Sequence, residues 1–158
     1  MILNICLGFM VCAMSTFAYS NNDQLLVEPE VNEITRDWQE YMTLDGVKIE
    51  YKLTLCGDGQ TVREQNVVLF RFTNLTGDAK TINWRTKIFR DGECLNCHPI
   101  ERDEYAHEIS LAANQVLEAD CSSIDDQSMY IFDNFVKHVP GMPTTRLTDF
   151  ELFELTVR

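Results

Sequence analysis

The sequence is short of positive charge: 13 lysines and arginines stand against 25 aspartates and glutamates, for a formal net charge of −12. Such a chain lacks the basic face that phosphate backbones require, so nucleic acid is not an expected partner. The acidity reads instead as a solvated surface. Glycine and proline are sparse, at seven and four, and no Pro-, Gly- or Ser-rich run and no internal repeat divides the chain. It carries no Ser-centred nucleophile elbow, Gly-rich phosphate loop, HExxH pair or EF-hand loop. The expectation is one domain with one core and no catalytic function.

Charge is missing altogether from the first twenty residues, MILNICLGFMVCAMSTFAYS, which run apolar from Ile2 to Phe17 and end in Ala18-Tyr19-Ser20. This predicts a signal peptide over 1–20. The run is too short and too rich in Asn, Ser and Thr for a spanning helix, which needs about 20 apolar residues, and Cys12 lacks the small residues that precede a lipidated cysteine. The expected product is soluble, secreted or periplasmic, with no stable membrane insertion. An N-terminal extended segment over 21–36 would then lead into a domain over 37–158.

What is present is alternation. In GVKIEYKLTLC, Val47, Ile49, Tyr51, Leu53 and Leu55 alternate with Lys48, Glu50, Lys52 and Thr54, the pattern of a strand with one buried face. Leu44-Asp45-Gly46 before it signals a turn, so Trp38 to Met42 can pair back as a short hairpin partner. Val67 to Phe70 are apolar on both parities, which fits a central strand covered on both sides. After a reversal at Thr76-Gly77-Asp78, Ile82, Trp84, Thr86 and Ile88 face one way, and Asp91-Gly92 closes that strand. Together these predict an all-β antiparallel sandwich, immunoglobulin- or fibronectin-like, of about seven to eight strands.

The second half is open to two readings. YAHEISL and VLEADC fit strands flanking Ala112 to Asn114, yet Tyr105, Ile109 and Ala112 also lie at helical spacing. MYIFDNFVKHV offers Met129, Phe132, Val136 and Val139 as a helical stripe, so a short helix is possible here. In the tail, Phe150 and Leu152, then Phe153, Leu155 and Val157, read as a strand with one bulge.

Four cysteines follow the signal: Cys56, Cys94, Cys97 and Cys121. An even count in a small exported domain predicts disulfides, with three possible connectivities. Cys94–Cys97 and Cys56–Cys121 are the preferred pairs; Cys56 lies off the core parity of its strand, so it is expected to find a partner at a sheet edge. Cys94, Cys97 and His98 also form the C-x-x-C-H spacing of covalent haem attachment, and Met142, in HVPGMPTT, could supply a second axial ligand. That makes a haem c electron-transfer protein the alternative function. Against it, the spacing follows three strands, whereas small cytochromes c are helical and carry it early. A zinc site from Cys94, Cys97, His98 and His107 lacks a second knuckle, and a thioredoxin-like pair lacks βαβ alternation. No cofactor and no metal is the expectation. Asp58-Gly59, Asp91-Gly92 and Asp125-Asp126 read as turns, His107 and His138 as packed or solvated, and Asn74-Leu75-Thr76 as a glycosylation sequon.

The stretches DGVKIEYKLTLC, VVLFRFTNLT, TINWRTKIFRDGECLNC, ISLAANQVLEADC and LTDFELFELTV resemble a group of small uncharacterised exported β-sandwich proteins of the Bacteroidetes type. Leu111 with Gln115 fits that group's Leu-x-x-x-Gln before a short strand, and the Cys-x-x-Cys is shared, whereas a following histidine is not a regular feature. The resemblance implies the fold and no activity. The function expected is therefore a binding or structural module with a protein or carbohydrate ligand.

Overall fold

A computed structural model describes residues 37–57, 64–98, 103–124, 126–142 and 144–158. The expected signal peptide over 1–20, the extended segment over 21–36, Asp58-Gly59 and Asp125 lie outside the described residues. Among the described residues nine strands run in chain order: β1 (Gln39–Leu44), β2 (Val47–Cys56), β3 (Gln65–Asn74), β4 (Lys80–Arg90), β5 (Glu93–Cys94), β6 (Ala106–Leu111), β7 (Val116–Glu118), β8 (Tyr130–Phe135) and β9 (Leu147–Val157). All pairs are antiparallel, in two sheets.

The first sheet begins as a meander, β1–β2–β3. Asp45 and Gly46 both have positive φ, 46° and 81°, the geometry of the tight hairpin turn that Asp-Gly favours. A Cβ on Gly46 would collide with the Thr76 methyl. The far side of β3 is then shared by β7, opposite Thr73 to Arg71, and β8, opposite Leu69 to Gln65. At the junction the Phe70 N–H donates to the Met129 carbonyl (3.0 Å), and its own carbonyl accepts from the Ala119 N–H (2.9 Å). Thus β7 and β8 form one edge that an excursion over 119–129 interrupts, which is why nine strands stand where seven or eight are expected.

In the second sheet β4 is central. β9 follows one side from Ile82↔Val157 to Arg90↔Leu147, while β6 and then β5 share the other. The sheets meet through aromatic rings: Phe150 of β9 touches Tyr51 (5.3 Å between centroids), Phe70 (5.4 Å) and Tyr41 (5.7 Å), and Phe72 touches Trp84 (5.3 Å). Val67, Val68, Leu69 and Phe70 are all buried, as a doubly covered strand requires. The outward pair, Val67 and Leu69, lies on the side where Cys56 projects. Cys56 is bonded to Cys121 of the excursion, and Ile124 packs against the core, so the excursion roofs that side.

Three expectations need correction. No α-helix occurs among the described residues; the only helical pieces are single 3-10 turns at Asp103–Tyr105 and Cys121–Ser123. The apparent helical stripe of MYIFDNFVKHV mixes a strand with the turn after it, because β3 offers residues 131–135 a ladder (Val68↔Ile131). In β9, two residues of the bulge oppose Trp84, Glu154 takes φ 54°, and the parity resets there. Phe153 therefore faces out, with the Lys87 ammonium 3.8 Å from its ring centre, while Leu155 and Val157 face in. Lastly, Cys56 does not reach an edge strand; its off-core parity points it at the excursion.

Candidate binding cleft

The Cys-Leu-Asn-Cys stretch acts on the edge of β4. β6 pairs with β4 only as far as Arg85, and β5 only with Phe89 and Arg90, which leaves a gap at residues 86–88. Cys94 and Cys97 are bonded to each other, and the closed loop turns Asn96 inward to 5% exposure. Its amide fills the gap as a peptide unit would: Oδ1 accepts from the Ile88 N–H (2.8 Å) and Nδ2 donates to the Thr86 carbonyl (2.7 Å). The Leu95 N–H donates to the Ile88 carbonyl (2.9 Å). Buried strand amides demand partners, and this side chain supplies them.

Past this plug, the inner face of β4 opens into a cleft between the two sheets. Thr86, Ile88 and Arg90 form its floor; Glu104, Tyr105 and His107 form one wall, and Gln127, Tyr130, Ile131 and Phe132 the other. Its volume is about 180 Å³, below the ~300–1,000 Å³ of pockets that swallow a drug-sized molecule. It is therefore sized for one unit of a larger ligand. The His107 ring lies against Trp84 in a tilted contact, 5.3 Å between ring centres. Burial lowers its pKa from the usual 6.5, against the opposing pull of Asp126, so the ring is neutral at pH 7.

Arg90 holds the far wall in place. One guanidinium nitrogen donates to the carbonyls of Asp133 (2.6 Å) and Thr145 (3.2 Å), the other to the carbonyl of Phe132 (2.5 Å). Beside it the Asp133 carboxylate, 1% exposed, accepts from the Leu147 N–H (2.7 Å) and from Arg146 (3.0 and 3.3 Å). These bonds fasten β8 and the start of β9 to the end of β4. A second cavity, of about 260 Å³, lies beyond this partition under the loop that joins β8 to β9.

The structure brings together some of the residues singled out from the sequence and separates others. Cys94–Cys97 and Cys56–Cys121 are the disulfides formed. His98 is exposed, His107 lines the cleft, and Met142 lines the second cavity, whose walls include none of Cys94, Cys97 or His98. Among the described residues no three His, Cys, Asp or Glu side chains converge as a metal site would need, and no helix is long and apolar enough to cross a membrane. Asp91-Gly92 is a turn with positive φ at both residues, and Asp126 accepts from the Ser128 N–H and hydroxyl. Asn74 of the sequon is 1% exposed; its Nδ2 donates to the carbonyls of Asp78 (2.7 Å) and Ala112 (2.9 Å), which spends both hydrogens on holding the turn.

Sequence reasoning missed Arg90, Asn96, Tyr130 and Asp133. Arg90 did leave a signal, a cation on the alternation of Ile82, Trp84, Thr86 and Ile88. No protein-family model, curated protein or solved structure matches the chain.

Proposed function

We propose that the chain is an exported, non-catalytic binding module that takes one unit of a carbohydrate ligand in the cleft between β4, β6 and β8. The observation that carries this reading is the cleft's rigid, mixed lining. Tyr105, Tyr130 and His107 bring rings to the lining and Glu104 and Gln127 bring polar side chains, the combination that sugar rings with apolar faces and hydroxyl edges require. Arg90 holds one wall and Asn96 the floor in advance, so binding costs little ordering. Two disulfides suit an oxidising compartment, secreted or periplasmic, in line with the resemblance to small exported β-sandwich proteins.

Two measurements on the exported protein test it. Its intact mass should fall short of the reduced chain's by four protons, with no Soret absorption; a haem-sized increment would replace this reading with the electron-transfer one. Titration with a panel of neutral oligosaccharides should then perturb Tyr and Trp fluorescence in the wild type and not in Tyr130→Ala. A panel without any response would overturn the carbohydrate assignment.

A further inference from the structure

The cavity beneath the β8–β9 loop carries the opposite charge to the rest of the molecule. From Asn134 to Thr148 there is no acidic residue, in a chain that holds 25. Lys137, His138 and Arg146 line this cavity together with Phe135, Val136 and Met142. Arg146 spends Nε and one terminal nitrogen on the buried Asp133 carboxylate, leaving the other terminal nitrogen with no partner among the described residues; its side chain is 56% exposed. Lys137 is exposed and has no ion-pair partner among the described residues. With Arg146 balanced by Asp133, the lysine leaves about one uncompensated positive charge. That balance suits a monoanion, and the overall charge of −12 disfavours a more highly charged one.

The cavity is also next door to the cleft. Phe132 lines the one and Phe135 the other, and their rings are 5.0 Å apart. Arg90, on the cleft floor, bonds the Thr145 carbonyl of the loop that roofs the cavity. Val136 and Met142, 48% and 44% exposed, add apolar surface to the cavity's lining. A ligand with a neutral unit in the cleft thus has its next unit beside Lys137 and Arg146.

We infer that the cavity is a second subsite, for a carboxylate-bearing sugar, so that the ligand is an acidic oligosaccharide. The inference rests on the carbohydrate reading of the cleft and adds the charge class. A carboxylate there meets the Lys137 ammonium and the spare Arg146 nitrogen, whose N–H groups suit it better than a hydroxyl.

The test is calorimetric titration of the whole exported protein, at low salt, with a trimer that joins one glucuronic acid to two neutral sugars, with the same trimer methyl-esterified, and with acetate. The acidic trimer should bind about fivefold or more tightly than its ester, as one exposed ion pair plus one charge-assisted hydrogen bond implies, and added salt should erase the difference. Lys137→Gln should narrow the gap between the acidic trimer and its ester without closing it, since the Arg146 hydrogen bond remains; an unchanged gap would remove Lys137 from the subsite. Equal binding of trimer and ester would overturn the subsite and leave the cleft standing. Acetate binding as tightly as the trimer would show a bare carboxylate site and overturn the sugar assignment. No binding of either trimer would count against the cleft reading and the subsite with it.

Discussion

Replacing Asn96 by alanine removes no covalent bond and very little apolar surface, yet it should cost as much as cutting the disulfide around it. The amide satisfies two strand groups, the Ile88 N–H and the Thr86 carbonyl, at a position only 5% exposed. An unsatisfied buried group costs about 1–3 kcal/mol; since water can reach part of the vacated space, about 2–4 kcal/mol is expected for the pair. Opening Cys94–Cys97, whose residues are three apart, frees only a four-residue loop, worth about 2 kcal/mol on the chain-entropy account. Urea unfolding at pH 7 measures both. Asn96→Asp sharpens the test. One carboxylate oxygen still accepts from Ile88, but the other faces the Thr86 carbonyl, so the protonated acid is favoured in the folded state. Its pKa there should stand above the ~3.9 of the unfolded chain. The deficit relative to wild type should therefore be smallest below pH 4 and grow as pH rises through the folded value. An Asn96→Ala cost under about 0.5 kcal/mol, the range of surface changes, or a pH-independent Asn96→Asp deficit, would refute the plug.

Three further outcomes follow from described contacts. Paired serine replacement of Cys56 and Cys121, 65 residues apart, should cost about 4 kcal/mol and so roughly twice the loss at Cys94 and Cys97; denaturant unfolding that reverses this order would count against the excursion as a fixed roof. The Arg71 guanidinium, bonded to both Glu50 oxygens at 2.8 Å, lowers the Glu50 pKa from 4.5. Its stabilisation should be complete above that value and disappear as pH falls through the lower folded one, so the melting temperature of Glu50→Gln should vary less with pH between 6 and 3 than that of wild type. His107, with its pKa lowered from 6.5 by burial, opposes folding once it must be charged. Stability should therefore decline as pH drops below 6.5, and His107→Gln should lessen the decline in thermal melts over pH 7 to 5; an unchanged slope would show that the ring is not desolvated.

The legible part of the fold was the part with period. Val47 to Leu53 and Ile82 to Ile88 alternate over long enough runs to fix which face is buried, and both Asp-Gly turns declare their geometry. The second half resisted because its elements are broken. β7 is three residues long, its continuation β8 resumes only after the 119–129 excursion, and β9 shifts parity at Glu154. Sequence spacing measures neither an interruption nor a reset. The cleft was illegible for a different reason: its walls come from residues 86–90, 104–107 and 127–132, and no spacing rule joins segments that meet only in the sandwich. Cys94 and Cys97 drew attention to iron chemistry, while Asn96, one of the two residues between them, does the structural task.

The pairing of β4 with β9 bears on the order in which the molecule can assemble. Ile82 waits for Val157, and Arg90 for Leu147, so the first sheet's meander can form from neighbouring segments while the second stays open until residue 157 arrives. On the exported reading proposed above, such late closure keeps the chain slack in transit across a membrane. It also leaves β4, apolar on one face, as the segment that most needs a chaperone's shelter meanwhile.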